Sequence, residues 1–264
     1  MIVLRPPFSS IWKNKDPFEE VKKITGKTYR SVKSRRTIRF EVNGEGYYLK
    51  LHHGTSYGEA FKNFLCLRLP VFGAKNEWLA INKLAEFGID TMTGVAFGEK
   101  GKNPFHKTSF IITKEIAPSI SLEDFCKDWK EKPPSFDTKR SLIKRVATAV
   151  RKMHMAGINH RDCYLCHFLL SLPFDLDNAK LSLIDLHRAQ IRKTVPKRWR
   201  DKDIIALYYS SLEIGLTRTD IVFFLKNYLN ENNIHKIFSI ERKLIASTAS
   251  KAKKIAERTK RKGL

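Results

Sequence analysis

The sequence predicts an α+β chain of two lobes, the first rich in β-strands and the second mainly helical. Before residue 117, short runs of β-branched and aromatic residues dominate. After residue 121, apolar residues recur mainly at the three- and four-residue spacings of helices. We therefore predict an amino-terminal lobe over 1–117 and a carboxy-terminal lobe over 118–264, with a crevice between them.

The first lobe contains a predicted hairpin, a helix and a further strand. The β-rich runs 36–42 and 46–53 flank Asn43-Gly44, a dipeptide typical of tight hairpin turns. Residues 75–87 predict a helix that ends at Gly88. Its apolar positions are Trp78, Leu79, Ile81, Leu84, Ala85 and Phe87. Residues 109–116 are again typical of a strand.

The second lobe is predicted to be helical apart from one buried strand. Ser121 opens a short helix, with Asp124 three residues on in a capping arrangement. The apolar spacing over 138–155 predicts a long amphipathic helix. Residues 181–186 are typical of a short buried strand, and residues 201–229 return to helix.

The last segment, 241–264, predicts a further helix, because it lacks proline and its only glycine is next to the end. One narrow stripe along it is apolar and the other face is strongly basic. The stripe comprises Ile240, Leu244, Ile245, Ala249, Ala252, Ile255 and Ala256. Such a helix can lie on an anionic bilayer, or it can pack on its own lobe with the basic face in water. The sequence leaves both interpretations open.

The positive charge of the chain is concentrated. The formal net charge is +23, while a hydrophobic content of 42% excludes a disordered tail. Segments 13–39, 188–203 and 241–264 carry net charges of +7, +5 and +7. Three such concentrations indicate an anionic partner, whether membrane surface, charged substrate, acidic protein or nucleic acid. Nucleic acid is not expected, because the patterns of RNA-recognition motifs and zinc fingers are absent.

We expect the protein to remain in the cytoplasm. Its first ten residues lack the long apolar core of a secretory signal, and no apolar run reaches the ~20 residues of a membrane span. In a reducing compartment the cysteines are expected to be free thiols. They are Cys66, Cys126, Cys163 and Cys166.

Residues 157–170 carry three overlapping motifs. Cys163, Cys166 and His167 match the C-x-x-C-H attachment motif of c-type haem, but that chemistry requires export. A zinc site would need a second pair of cysteine or histidine ligands, which the sequence lacks. We interpret both matches as accidental and turn to the third motif.

His160-Arg161-Asp162 matches the catalytic-loop pattern of the protein-kinase fold. A long helix precedes the triplet, and the strand after it ends in Asp185, where a kinase has its D-F-G aspartate. Upstream, Lys50 lies on a predicted strand and Glu77 on the helix that follows, in the order of a kinase nucleotide lobe. Four ionisable residues in this order predict a phosphoryl-transfer enzyme.

Over its whole length, the chain resembles the bacterial lipopolysaccharide core heptose(I) kinases. The likeness is carried by Arg35-Arg36-Thr37 and by residues 157–170, 183–190, 197–203 and 257–264. It implies a kinase of protein-kinase-like fold that uses ATP and Mg²⁺, either free in the cytoplasm or peripheral on the inner membrane. The acceptor would be the first heptose of the lipopolysaccharide inner core, at its 4-hydroxyl. Acyl carrier protein, an acidic protein, is implied as a further partner.

The resemblance also implies catalytic roles. Asp162 would orient the acceptor hydroxyl and accept its proton, and Asp185 would hold Mg²⁺ across the β- and γ-phosphates. His167 stands where a protein kinase has asparagine, and imidazole is a poor ligand for Mg²⁺. His167 therefore bonds to phosphate or to the loop, or Asp185 and ATP oxygens alone hold the metal. His160 and Arg161 are expected to be structural.

Residues of the nucleotide site follow from the same resemblance. Lys50 would hold the α- and β-phosphates, with Glu77 as its ion-pair partner. Gly26 and the basic stretch 27–36 would cover the phosphates. The sequence has no G-x-G-x-x-G, so side chains would partly replace a backbone phosphate loop. Backbone groups that bind adenine would come from Lys114, Glu115 and Ile116.

The segment after Asp185 is short and basic. Only 17 residues separate Asp185 from Asp203. Asp203 is expected to anchor the catalytic loop through backbone N–H groups. A protein kinase has a longer activation segment and an A-P-E motif there. Arginine binds carboxylate and phosphate groups with two parallel hydrogen bonds, which suits an anionic acceptor. The expected acceptor ligands are Arg188, Arg192, Arg198 and Arg200.

Two other functions stay open at the level of sequence. The chain could be a tyrosine-directed or self-modifying protein kinase, although the short segment after Asp185 argues against a peptide acceptor. It could also be a non-catalytic basic module that binds nucleic acid, although intact Lys50, Asp162 and Asp185 argue against a degenerate kinase.

Overall fold

The computed structural model describes residues 1–32, 35–54, 73–101, 103 and 107–261. The chain divides into two compact units. Unit 1 comprises Met1–Lys83, Met92–Ala117 and Asp185–Arg188, and unit 2 comprises Leu84–Thr91, Pro118–Ile184 and Ala189–Leu264. Strands predominate in unit 1 and helices in unit 2, so the predicted α+β class is confirmed.

Unit 1 is built on an antiparallel sheet. The strands are β1 (Ile2–Leu4), β2 (Lys27–Val32), β3 (Arg35–Val42), β4 (Glu45–His52), β5 (Gly94–Lys100) and β6 (Thr108–Lys114). Among the described residues they are ordered β1-β5-β6-β4-β3-β2. The helices are α1 (Phe8–Ile11), α2 (Pro17–Lys23) and α3 (Lys75–Glu86), whose last three residues belong to unit 2.

The predicted hairpin is confirmed. Strands β3 and β4 pair from Val42 opposite Glu45 to Arg35 opposite His52. Asn43 and Gly44 form the turn with φ of +53° and +77°, a backbone conformation that asparagine and glycine tolerate best.

Alternation along β4 determines where Lys50 points. Tyr47, Leu49 and Leu51 are buried in the apolar core of unit 1, which also contains Phe8. Successive side chains of a strand point to opposite faces, so Lys50 projects from the face opposite this core. The fold thus places an ammonium group on the face of the sheet that the main core does not fill.

Unit 2 is mainly helical. Its helices are α4 (Leu122–Cys126), α5 (Phe136–Met155), α6 (Lys197–Ser210), α7 (Arg218–Leu229) and α8 (Ile234–Arg261). Its short strands are β7 (Ser119–Ser121), β8 (Ile158–Asn159), β9 (Phe168–Ser171), β10 (Leu181–Leu183) and β11 (Gln190–Ile191). The described strands pair as β10-β9-β7 and as β11-β8. Strands β8 and β9 hold the two ends of the 160–167 loop.

The helix predictions were correct in type and inexact in detail. Ser121 accepts a hydrogen bond from the N–H of Asp124 (3.0 Å), which confirms the predicted cap. The helix expected over 201–229 is in fact two helices, α6 and α7, separated at residues 211–217. The predicted helix over 75–87 buries Trp78, but Leu79 and Phe87 are exposed.

The apolar stripe predicted for the last helix was wrong at its start. Ile240 is 49% exposed, whereas the neighbouring Glu241 is fully buried. Glu241 has non-helical backbone angles, so α8 is kinked there. Beyond the kink, Leu244 and Ala252 are buried, and this side of the helix therefore packs within unit 2.

Candidate active site

Lys50 is held between two carboxylates in unit 1. Its Nζ lies 2.6 Å from Oε1 of Glu77 and 2.8 Å from Oδ1 of Asp185. Glu77, in the first turn of α3, is completely buried. The same Asp185 oxygen accepts a hydrogen bond from Nδ1 of His187 at 2.9 Å. The structure thus brings together three of the residues that the sequence pattern selected.

The charges of this group stabilise one another. Burial alone would lower the pKa of Lys50, but the negative charges of Glu77 and Asp185 raise it overall. Burial would likewise raise the pKa of Asp185, but the His187 hydrogen bond and the Lys50 charge hold it well below its usual range. At neutral pH, Lys50 is a cation and Asp185 an anion. Asp185 also adopts φ of +57°, which is uncommon outside glycine and is found at functional sites.

Several polar atoms near Lys50 have no partner among the described residues. They are Nε of Arg35, Oγ1 of Thr37, Nε2 of His52 and Oε2 of Glu77. Thr37 lies opposite Lys50 in the sheet and Arg35 opposite His52, so these side chains share one face. A buried polar atom without a hydrogen bond costs about 1–3 kcal/mol. A polar ligand on this face would recover that free energy.

His52 on this face is neutral. Burial, followed by the positive charges of Arg35 and Lys50, lowers its pKa to about 3. Its imidazole can therefore donate or accept a hydrogen bond without adding charge. Lys50 and Arg35 are the cations that act on His52, whereas Arg39, further along the same face, is ion-paired with Glu41 and Glu115.

The remaining nucleotide-site predictions concern Gly26 and residues 114–116. A Cβ atom at Gly26 would lie 2.2 Å from the carbonyl oxygen of Arg39, so close packing of strands already requires glycine there. The N–H groups of Lys114 and Glu115 donate to the carbonyls of Thr93 and Gly46. Neither N–H group is therefore available to adenine. Residues 33 and 34 of the basic stretch lie outside the described residues.

In unit 2, two imidazoles hold the backbone of Asp162. Nδ1 of His160 accepts a hydrogen bond from the Asp162 N–H at 3.3 Å, and Nδ1 of His167 donates to the Asp162 carbonyl at 2.6 Å. The rings are 5.4 Å apart and nearly parallel. Burial lowers the pKa of His160, and its Nε2–H donates to the carbonyl of Ile184 at 2.9 Å. Both imidazoles thus fix the position of Asp162.

Asp203 anchors the same loop. Its carboxylate oxygens accept hydrogen bonds from the N–H groups of His160 (2.7 Å) and Arg161 (2.8 Å). Arg161 has φ of +73°, a strained conformation that these bonds help to hold. Behind Asp203, the ring of His154 lies 3.2 Å from the carboxylate and 2.8 Å from the hydroxyl of Tyr228. Helices α5, α6 and α7 thus jointly determine the loop conformation.

The residues fit Mg²⁺ only as a site completed by substrate. Within the described ranges, no group of three or more His, Cys, Asp or Glu side chains is arranged to hold a metal ion. Mg²⁺ in phosphoryl-transfer sites is often bound by one or two carboxylates plus phosphate oxygens, and ionised Asp185 suits that role. His167 does not, because its described hydrogen bond serves the loop and imidazole is a poor ligand for Mg²⁺.

The four arginines that were expected to bind the acceptor have different neighbours in the structure. Arg200 binds Glu241 and Asp201, so its guanidinium ties α6 to α8 and is not available to an acceptor. Arg192 donates to Oδ1 of Asn159 (2.6 Å) and to Oε1 of Gln190 (2.8 Å). Arg198 lies over the Trp199 ring, and Arg188 belongs to unit 1. We therefore withdraw Arg200 from the expected acceptor ligands.

Sequence reasoning missed three contributors to these sites. His187, which bonds Asp185, could have been found from its position two residues after the aspartate. The pairing of Glu241 with Arg200 had a weaker signal, an isolated acid at the head of a basic segment. The contacts of His154 had none, since a histidine inside an amphipathic helix is ordinary.

Comparisons with known proteins agree with this geometry. A family model described as "Lipopolysaccharide kinase (Kdo/WaaP) family" matches residues 19–228. The lipopolysaccharide core heptose(I) kinase WaaP of Escherichia coli K12 is 56% identical over 100% of both chains. That of Pseudomonas aeruginosa is 50% identical over 99% of this chain and 98% of its own.

A solved structure confirms the predicted kinase-like fold. It is described as WaaP in complex with acyl carrier protein and is 46% identical to this chain. The two superpose with a TM-score of 0.86 over 96% of this chain and 98% of that one. The chain therefore belongs to the lipopolysaccharide kinase (Kdo/WaaP) family.

Proposed function

We propose that this protein is an ATP-dependent kinase that phosphorylates the first heptose of the lipopolysaccharide inner core, at its 4-hydroxyl. The ion pair between Lys50 and Asp185 carries the proposal, because the resemblance to kinases requires these two residues to meet around a triphosphate. The relatives named as heptose(I) kinases support the acceptor, since they match the chain along its whole length.

In the proposed reaction, the acceptor hydroxyl oxygen attacks the γ-phosphorus of ATP. A new P–O bond forms, the bond to the β-phosphate bridging oxygen breaks, and ADP leaves. Asp162 orients the hydroxyl and accepts its proton. Lys50 neutralises charge on the α- and β-phosphates, and Glu77 keeps the ammonium group in place. Arg35, Thr37 and His52 supply further polar atoms along the phosphates.

Asp185 is the residue that would hold Mg²⁺. When bound, the ion would neutralise charge on the β- and γ-phosphate oxygens. The carboxylate is ionised and oriented by hydrogen bonds from Lys50 and His187, so it needs no proton loss before it binds a cation.

The test is phosphate transfer from ATP to purified core lipopolysaccharide whose heptose phosphate has been removed. We expect one phosphate per acceptor on the first heptose, located by mass spectrometry, and no transfer when EDTA replaces Mg²⁺. Equal transfer to denatured or native protein, with none to the glycolipid, would refute the assignment and favour a protein kinase. A bacterium that lacks the protein is expected to make core without this phosphate.

We further propose that the basic face of α8 binds acyl carrier protein. Among the described side chains beyond the kink at Glu241, five cations of this helix are exposed, while its other side is buried. They are Arg242, Lys243, Lys251, Lys253 and Lys254. An acidic protein fits such a face by charge complementarity, and a relative has been solved with this partner.

Among the described residues no helix is long and apolar enough to span a bilayer. We propose that the protein acts from the cytoplasmic face of the inner membrane.

The triple variant Lys251→Glu/Lys253→Glu/Lys254→Glu is expected to weaken binding of acyl carrier protein at least tenfold, because three attractive charges become repulsive. Binding of the wild-type protein should also weaken as salt rises. Isothermal titration with purified acyl carrier protein measures both effects. Lys127→Glu, on an exposed position outside α8, is the control. Unchanged affinity in the triple variant would refute this binding face.

A further inference from the structure

Four cations surround a single indole ring in unit 2. The guanidinium carbons of Arg161, Arg192 and Arg198 lie 5.8, 5.6 and 5.5 Å from the ring centroid of Trp199. Nζ of Lys202 lies 4.3 Å from the same centroid. Cation–π pairs of significant energy occur about once per 70–80 residues, so four pairs on one ring are far more than this average. We call these five residues the Trp199 cluster.

The positive charge of this cluster is crowded. Burial, followed by the charges of Arg198 and Arg161, lowers the pKa of Lys202. Arg198 and Trp199 also stand in the first turn of α6, the positive end of the helix dipole. That turn contains no acidic residue, and its N-cap, Pro196, makes no side-chain hydrogen bond. An anion is the ligand that such an arrangement would stabilise.

Other cations at the start of α6 are neutralised within unit 2. Lys197 and Arg200 both bind the buried carboxylate of Glu241. By contrast, Arg198 and Lys202, four residues apart and thus on one face of the helix, form no hydrogen bond or ion pair with any described residue. The helix therefore separates cations that stabilise the fold from cations that are gathered at Trp199.

The Trp199 cluster is attached to the catalytic loop at two points. Arg161 immediately precedes Asp162, and its N–H is held by Asp203 at 2.8 Å. Arg192 donates to the side chain of Asn159, the last residue of β8, at 2.6 Å. A ligand held by these side chains would therefore have a defined position relative to Asp162.

Resting on the proposed function, we propose that the Trp199 cluster binds an oxyanion of the glycolipid acceptor and so orients the acceptor hydroxyl toward Asp162. The oxyanion is either a sugar carboxylate or a phosphate on the lipid sugars, since arginine forms paired hydrogen bonds with both. This assigns acceptor contacts to Arg161, Trp199 and Lys202, in addition to Arg192 and Arg198.

The double variant Arg198→Gln/Lys202→Gln tests the proposal. Both side chains are exposed, so the fold is expected to be retained. The KM for acceptor should rise about 100-fold, about tenfold for each lost charged contact, while the KM for ATP stays unchanged. The control, Lys127→Gln/Lys144→Gln, removes two exposed lysines elsewhere in unit 2 and should change neither constant.

A binding measurement that needs no turnover uses Trp199 itself. Trp199 is half-buried, whereas Trp12, Trp78 and Trp129 are buried. Titration of the ADP-saturated protein with inorganic phosphate should therefore change the fluorescence of Trp199. The affinity for phosphate should fall at least tenfold in the double variant. The fluorescence change should disappear in Trp199→Phe.

Two modified acceptors identify the oxyanion. On one of the two modified acceptors, either the carboxyl-reduced one or the one whose lipid-sugar phosphates have been removed, the double variant should have the same acceptor KM as the wild-type protein. On the other, its disadvantage, the higher KM, should remain. If it keeps the same disadvantage on both, or if acceptor KM and phosphate titration never change, the proposal is overturned while wild-type turnover still supports the kinase function. If instead no core acceptor is phosphorylated by the wild-type protein, the kinase function fails and the acceptor assignment fails with it.

Discussion

Replacing Asp162 with asparagine is expected to lower turnover by about 10²–10⁴ while ATP binding and folding are retained. Asparagine keeps the shape of the side chain but cannot accept a proton from the acceptor hydroxyl. The hydrogen bonds that His160 accepts and His167 donates involve the backbone N–H and carbonyl of Asp162, so they are independent of this change. The loop should therefore keep its conformation.

The measurement is kcat for phosphate transfer to core lipopolysaccharide, with ATP affinity and melting temperature determined on the same preparation. Asp128→Asn, an equally conservative change at an exposed position of unit 2, controls for the loss of one negative charge. If Asp162→Asn turned over at the wild-type rate, Asp162 would not be the proton acceptor. If melting temperature fell together with kcat, the residue would be structural.

The sequence predicted that the charged groups of Lys50, Glu77 and Asp185 meet. Lys50 was expected on a strand and Glu77 on the helix that follows, in the order of the kinase pattern, and the structure brings their charged atoms to 2.6 Å. Each signal is local, since a strand period or a helix start is encoded by the residues themselves. The order of these residues along the chain then sufficed to predict that Asp185 would join them.

What the sequence did not contain were pairings between distant segments that lie outside the kinase pattern. Arg200 was expected to bind the acceptor because the segment around it is basic, but its actual partner, Glu241, is 41 residues away on a kinked helix. The same limit hid the Trp199 cluster, whose members come from helix α6, from the residue after β11 and from the 160–167 loop. A charge count along the chain gives the sign of a surface, and only the fold tells which charges are already neutralised.

Replacing Lys50 with methionine is expected to abolish measurable phosphate transfer and to destabilise the protein. The side chain of Glu77 is completely buried, so without Lys50 it becomes a buried carboxylate whose charge has lost its described partner. Breaking a buried ion pair on one side costs about 3–5 kcal/mol. Urea unfolding is expected to show that loss, and the activity assay is expected to show none of the product.

The double variant Lys50→Met/Glu77→Gln separates the two effects. It removes the stranded charge, so the free energy of unfolding should return most of the way to the wild-type value. Activity should not return, because the ammonium group that would neutralise the α- and β-phosphates is still missing. Recovery of both stability and activity would mean that Lys50 serves the fold alone. Recovery of neither would mean that the charge of Glu77 is not what destabilises the single variant. Recovery of stability without activity is therefore the result that assigns Lys50 to the nucleotide and Glu77 to Lys50.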